Sequence, residues 1–247
     1  MEDDDLECFT DLPTVQNPET RIWRYLTPEK FSKLLESRAL FLPSTWLFED
    51  PNEGSYPDAN RIARDKLWAD LKVSEQQRET IEWNTQLTRL LTFVSCWQMG
   101  DYESAALWKI YGRTEKAVVV ESSFGRLRAC LPDFVHIHPV SYIDYTRDRI
   151  PDVHSLYPFF FKKIEYQSEQ ELRVVTGDLP MSDPWRLKVN ISCEGWSFPI
   201  NPDELVKTVY VAPGCPEASY ERIKSESIQM GLKAPVLRSA MDRKPRF

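Results

Sequence analysis

The sequence predicts an α+β fold: a single domain with a curved mixed sheet of short strands flanked by helices. Three observations point there. Strand-like and helix-like segments alternate irregularly, the strand-like ones are short, and aromatic residues make up 12% of the 247-residue chain, which suits a mixed sheet better than a doubly wound parallel one. A hydrophobic content of 42% over this length is enough for one sizeable core. Residues 1–20 are acidic, proline-punctuated and aperiodic, the pattern of a mobile or loosely docked lead-in. The globular domain is expected to run over residues 21–240, with 241–247 as a basic tail.

Arg21–Leu26 has strand composition, and Thr27-Pro28 reads as an N-cap and first helical residue, with Phe31, Leu34 and Leu35 on one helical face. Ala39–Leu42 is a second short strand. The stretch from Pro43 to Pro57 is irregular and carries Trp46, Asp50, Glu53 and Gly54; long connections of this kind usually serve function. Residues 58–90 are charged and rich in helix formers. They predict two helices broken near Val73-Ser74, with Ile62, Leu67, Leu71, Ile81, Leu87 and Leu90 turned inward to cover a sheet. Leu91–Trp97, Ala117–Glu121 and Val135–Tyr145 read as strands, separated by helices over Tyr102–Tyr111 and Ser122–Leu131. The aromatic block Leu156–Phe161 leads to an acidic motif and a strand over Glu171–Thr176. Strands at Arg186–Ser192 and Thr208–Ala212, a helix over Pro216–Met230 and a last strand at Val236-Leu237 complete the reading.

Composition removes several function classes. Five scattered cysteines with no Cys-x-x-Cys pair argue against a disulfide framework and a zinc ribbon. His136-Ile-His138 offers two imidazoles on one strand face, but no third ligand is spaced to complete a metal site. No apolar run reaches the length of a membrane span and the amino terminus is acidic, so a soluble, cytoplasmic protein without membrane contact is expected. A net charge of −7 disfavours non-specific nucleic-acid binding. The eight glycines are dispersed, no two closer than eleven residues, so neither a dinucleotide fingerprint nor a P-loop can be built. Any nucleotide must be held by side chains.

The most informative stretch is Tyr-Gln-Ser-Glu-Gln-Glu-Leu-Arg, residues 166–173. Spacing of two along a strand would set Glu169, Glu171 and Arg173 on one face. Two carboxylates beside a guanidinium cover an apolar core badly, because each ion loses hydration unless paired. They suit a polar cleft, although an ordinary solvated ion pair gives the same pattern.

Arg24-Tyr25-Leu26, then Phe41 to Glu53 with Asp50-Pro51, Val94–Trp97, Leu107–Gly112 and Glu169-Gln-Glu171-Leu-Arg173 stand in an order that resembles a bacterial family, domain of unknown function 2971. The resemblance covers roughly residues 21–176. This chain has Glu49-Asp50-Pro51-Asn52-Glu53 where the family pattern is Asn-Asp-Pro, an aromatic and an acid. The same order is similar to the Arg, Ser and Glu-x-Glu arrangement of the ADP-ribosyltransferases, which implies a split sheet and NAD as substrate. By that resemblance Arg24 steers phosphates and ribose, with Tyr25 and Arg173 beside the nucleotide. Ser95 supports the nicotinamide pocket, and Trp108 or Tyr111 stacks on the base. Glu171 holds a ribose hydroxyl and Glu169 orients a protein or nucleic-acid acceptor, while Asp50 and Glu53 line the substrate loop. A toxin or defence effector would fit such an activity. Chemically, a carboxylate beside the breaking nicotinamide–ribose bond stabilises the positive charge that develops on the sugar, and an arginine can hold pyrophosphate without a glycine loop.

Two other readings stay open. Asp50, Glu53, Glu169 and Glu171 could hold Mg²⁺ for a nuclease or phosphoesterase, though no lysine companion lies on the acidic strand. Alternatively, the Asp50 loop and the acidic strand form a non-catalytic ligand- or partner-binding surface.

Overall fold

The structure, a computed structural model, describes residues 12–50, 52–111, 117–177, 190–192 and 194–243. Arg21–Leu26 forms β1, and the chain then enters helix α1, Pro28–Ser37. Thr27 caps this helix by accepting from the Lys30 amide, and Pro28 sits where its missing N–H costs nothing. Phe31, Leu34 and Leu35 are its buried residues. β2 (Ala39–Pro43) follows, then a 3₁₀ turn at Thr45–Leu47 and the helices α2 (Asp58–Asp70) and α3 (Glu75–Leu91). A reciprocal capping box between Ser74 and Gln77 restarts the helix after the break.

Strand β3 spans Phe93–Met99, helix α4 Ala105–Tyr111, β4 Val118–Ser123 and α5 Phe124–Ala129. The stretch expected as one strand over Val135–Tyr145 is two, β5 (His136–Pro139) and β6 (Ser141–Ile143), in different sheets. The change falls at Val140, whose amide bonds to the Glu171 carbonyl just past Pro139. Proline cannot donate to a ladder, so the strand turns away there. After β7 (Phe161–Lys163) and a 3₁₀ segment at Ile164–Glu169 comes β8, Glu171–Thr176. β9 covers Asn190–Ser192, so most of the strand expected from Arg186 lies outside the described residues. β10 (Gly195–Pro199), α6 (Pro202–Leu205), β11 (Thr208–Val211), α7 (Glu217–Gln229) and β12 (Val236–Arg238) end the described fold.

Seven strands form one mixed sheet in the order β12-β11-β4-β1-β3-β8-β5, with β11 and β12 parallel and the other neighbours antiparallel. The three-stranded sheet β2-β10-β9 packs on one face through Leu40, Leu42, Trp196 and Phe198, alongside α1. On the opposite face lie two smaller apolar clusters, one built on Leu156, Tyr157, Phe159, Phe160 and Phe161, the other on Trp23, Trp108 and Val119. β1 and β4 pair along the whole of β1, whereas β1 and β3 pair only at Ile22–Met99 and Trp23–Gln98. From Arg24 onward the two central strands are unpaired, and the sheet is split between them.

Two expectations are corrected. Residues 12–20 are docked rather than loosely attached: Leu12 is 3% exposed within the aromatic cluster, and the Pro18 carbonyl accepts from the Gly125 amide. Residues 1–11 lie outside the described set. The second concerns helices α2 and α3, which do not cover a sheet. Ile62, Leu67, Leu71, Ile81, Leu87 and Leu90 are all exposed, because both sheet faces are already filled by other elements. Only Asn60 and Trp68 of α2 are buried, and Asn60 is anchored in both directions to the Ile150 backbone, at 2.6 and 2.9 Å. Leu12→Ala should destabilise the domain by about 2–5 kcal/mol, as for a truncated core leucine; urea unfolding measures this, and a change near zero would mean that residues 12–20 are not part of the core.

Candidate functional site

Five charged side chains meet on the β8 face that carries the aromatic cluster. Arg173, 1% exposed, donates through both terminal nitrogens to Glu53 at 2.7 and 2.9 Å and through Nε to Glu171 at 2.7 Å; Nη1 also donates to the Phe159 carbonyl at 2.8 Å. Lys162 donates to Glu171 at 2.7 Å and to Glu169 at 2.8 Å, with Glu53 3.9 Å away. Lys162 comes from β7, beside the strand rather than on it. The Tyr142 hydroxyl accepts from the Glu171 amide at 2.8 Å, and Lys162 lies over the Tyr166 ring at 4.6 Å.

Backbone geometry builds this arrangement. Glu169 and Glu171 do not share a strand face through spacing of two: Glu169 ends the 3₁₀ segment, and Gln170 between them is left-handed, with φ 45°. That single reversal lets carboxylates from two different elements reach the same ammonium. Glu53 arrives on the irregular connection, where Asp50 accepts from both the backbone and side-chain nitrogens of Asn52 at 2.8 Å and fixes the turn. The next residue, Gly54, has φ +71°, and a Cβ there would sit 2.2 Å from the Phe159 ring. Glycine lets the chain pass close enough over Phe159 for Glu53 to meet Arg173.

The network separates the titration of its members. Burial alone would raise the Glu171 carboxyl, but Arg173 and Lys162 overcome that and hold it well below the ordinary carboxylate range. Glu169 moves the other way, raised by burial and by its hydrogen bond with Glu171. Burial would lower Lys162 and Arg173, yet their acidic partners keep both cationic. Burial pushes the Tyr142 phenol up to about 12, and Tyr145, which also feels Glu53, up to about 12. Cys96 faces Arg173 across the β3–β8 ladder, and burial together with Glu171 pushes its thiol upward, so it stays protonated at neutral pH. Tyr145 also lines a polar cleft of about 260 Å³ with Asn52, Tyr56, Asp144 and Lys163.

The structure brings Glu53, Glu169, Glu171 and Arg173 together. Tyr111, at the end of α4, is close enough for Glu169, Glu171 and Cys96 to raise its phenol, after burial. Arg24 stands where β1 and β3 part, 5.7 Å from the Trp97 ring centroid, and donates to the Phe41 carbonyl at 3.0 Å. It makes no ion pair with a carboxylate among the described residues, and burial brings its guanidinium down to about 10, still charged at neutral pH. The others lie elsewhere. Tyr25 packs edge-on against Trp108 at 5.1 Å, its hydroxyl accepting from the Ser104 amide, and Trp108 is a buried core ring donating to Glu103 rather than an open stacking platform. Ser95 shares the face of Phe93 and Trp97, opposite the ion network, where its hydroxyl is buried with no partner among the described residues. Asp50 shapes the loop without joining the ion network.

Lys162 and the tyrosines 142, 145 and 166 were missed by sequence reasoning. The Lys162-Lys163 pair after an apolar block was the available signal, since a lysine buried beside aromatics needs an acid. The same cations bear on metal binding. Lys162 and Arg173 occupy carboxylate oxygens that a divalent ion would need, and no group of three acidic, His or Cys residues among those described is arranged to hold one.

Arg173→Met should cost about 3–5 kcal/mol by leaving Glu53 and Glu171 buried without their partner. Glu53→Leu added to it should recover part of that loss by removing one orphaned charge. Denaturant unfolding of both single variants and the double variant measures the coupling; additive effects would mean that the pair does not interact.

No protein-family model matches the chain, and no curated protein matches it. Among solved structures, Thermus sp. 2.9 DarT in complex with carba-NAD+ is similar to it over 92% of this chain and 98% of that one, with 9% sequence identity and a TM-score of 0.40.

Proposed function

We propose that the protein is an ADP-ribosyltransferase-like enzyme that binds NAD and cleaves its nicotinamide–ribose bond, in keeping with the resemblance of its Arg, Ser and Glu-x-Glu order to the ADP-ribosyltransferases. One observation carries the reading: Glu169 and Glu171, bridged by one lysine, have their carboxyl groups pushed in opposite directions. Two acids with divided titration are what glycosidic cleavage uses, one fixed as an anion and the other able to exchange a proton.

In this mechanism Glu171 stays ionised at every physiological pH and faces the ribose. The bond from C1′ to the pyridinium nitrogen breaks with its electron pair leaving on nicotinamide, which departs neutral, while positive charge develops on the sugar beside the carboxylate. A hydroxyl or amine of the acceptor, or water, then attacks C1′ and its proton passes to Glu169. Three carboxylates against two cations leave the ionised cluster one negative charge, suited to the cationic nicotinamide ring. Arg24, without a carboxylate partner among the described residues and standing at the sheet split, supplies donors for the pyrophosphate. A metal-dependent hydrolase is disfavoured because no group of three acidic, His or Cys side chains among the described residues is arranged to hold an ion, and Lys162 and Arg173 already pair with the carboxylates.

Nicotinamide release from NAD tests the reading. Glu171→Gln should abolish it, Glu169→Gln should lower it by about 10²–10⁴-fold, and Arg24→Ala should remove the rise in melting temperature that NAD gives the wild type. Because Glu169 must be ionised to accept the proton, the wild-type rate should fall as pH drops through a carboxyl value above the ordinary ~4.3, and Glu169→Gln should lose that limb. Full activity in Glu171→Gln would sink the assignment of Glu171 to the chemistry, and no nicotinamide release together with no melting shift with NAD would leave a ligand- or partner-binding domain instead.

A further inference from the structure

Helices α2 and α3 present apolar side chains that the other described residues leave uncovered. None of the seventeen residues of α3 is buried. Trp83, Leu87, Leu90 and Leu91 fall at i, i+4, i+7 and i+8, which puts them on one helical stripe. The stripe continues into the 3₁₀ turn, because the Thr45 hydroxyl donates to the Arg89 carbonyl at 2.6 Å and the Ser44 hydroxyl to the Leu90 carbonyl at 2.9 Å, fastening Trp46 and Leu47 to the end of the helix. Trp83 is 65% exposed, Trp46 63%, and the four leucines between 37% and 55%. A patch of this kind marks an association surface.

We propose that this face is the interface of a homodimer, in which α3 of one copy packs antiparallel against α3 of a second across a two-fold axis near Leu87. Charge identifies the occupant as another copy of the chain. The chain as a whole carries −7, which opposes self-association, but residues 58–91 hold six basic and six acidic side chains and contribute nothing to that excess. Two copies can therefore approach on this arm without the repulsion they meet elsewhere. Area agrees. The six apolar side chains expose on the order of 600 Å², while one side of a stable interface buries about 800 Å², a little over half of it apolar. The stripe is also self-complementary, as a two-fold contact requires. A crossing centred on Leu87 sets Trp83 of one copy against Leu91 of the other, a large side chain against a smaller one.

Sedimentation equilibrium of the full chain tests the proposal. The expected result is twice the chain mass, with Trp83→Glu and Leu87→Glu each sedimenting as a monomer of unchanged circular dichroism. Leu87→Cys, at the axis, should give a disulfide-linked dimer on mild oxidation that reductant reverses. A wild-type monomer at concentrations up to about 100 µM, well above the micromolar dissociation constants of the weakest interfaces of this size, would overturn the inference. So would a dimer that survives both glutamate substitutions. The readout is mass, so the outcome is independent of whether NAD is a substrate.

Discussion

Arg173 is the interaction on which the remaining architecture around β8 depends. A guanidinium buried this completely must have its donors met, and here they are met by partners from two other segments, Glu53 of the irregular connection and the Phe159 carbonyl of the aromatic block, and by Glu171 of its own strand. Neither of the two other segments has regular secondary structure long enough to position itself. The connection after β2 is held by the Asx turn of Asp50 and by the Gly54–Phe159 contact, and the aromatic block by its own packing against Val175 and Leu12. The ion network selects one arrangement of them, since any slip strands a buried charge.

Much of the fold was legible in the sequence where a local rule governs. Thr27-Pro28 and Ser74 announce helix starts by capping chemistry, and the β-branched run at 118–120 could hardly be anything but a central strand. Reading failed where tertiary competition decides. The leucines of α2 and α3 have a helical period, but period states only that a face is apolar, not what meets it, and the sheet had other coverings. The strand Gly195–Pro199 escaped notice; besides β9 it pairs with β2, some 150 residues away in the chain, which no local pattern announces.

The candidate site was legible in part for a similar reason. Glu169, Glu171, Arg173 and Glu53 carry a signal because charge in a hydrophobic context demands explanation. The geometry that unites the two glutamates is a left-handed glutamine, a conformation that no side-chain pattern announces. Lys162 belongs to a segment that reads as the end of an aromatic block, and its role emerges only when β7 and β8 are seen side by side. The proposed ligand-facing residues thus come from four separate stretches, joined by topology rather than by spacing.

The short ladder between β1 and β3 has a mechanical corollary. Two residue pairs act as a hinge pin between the two leaves of the sheet, and the pin is tied on both sides: the Gly100 amide bonds to the Arg21 carbonyl and the Met99 amide to the Gln170 carbonyl. Gln170 is the residue that separates the two glutamates. Points on the axis of a hinge move least when its leaves swing, whereas the end of β1 beyond Tyr25 and the start of β3, out along the gap, would sweep through the larger arc. The chain has thus set its paired acids beside the pivot, where their spacing is preserved, and Arg24 at the apex of the gap, where the two leaves first part.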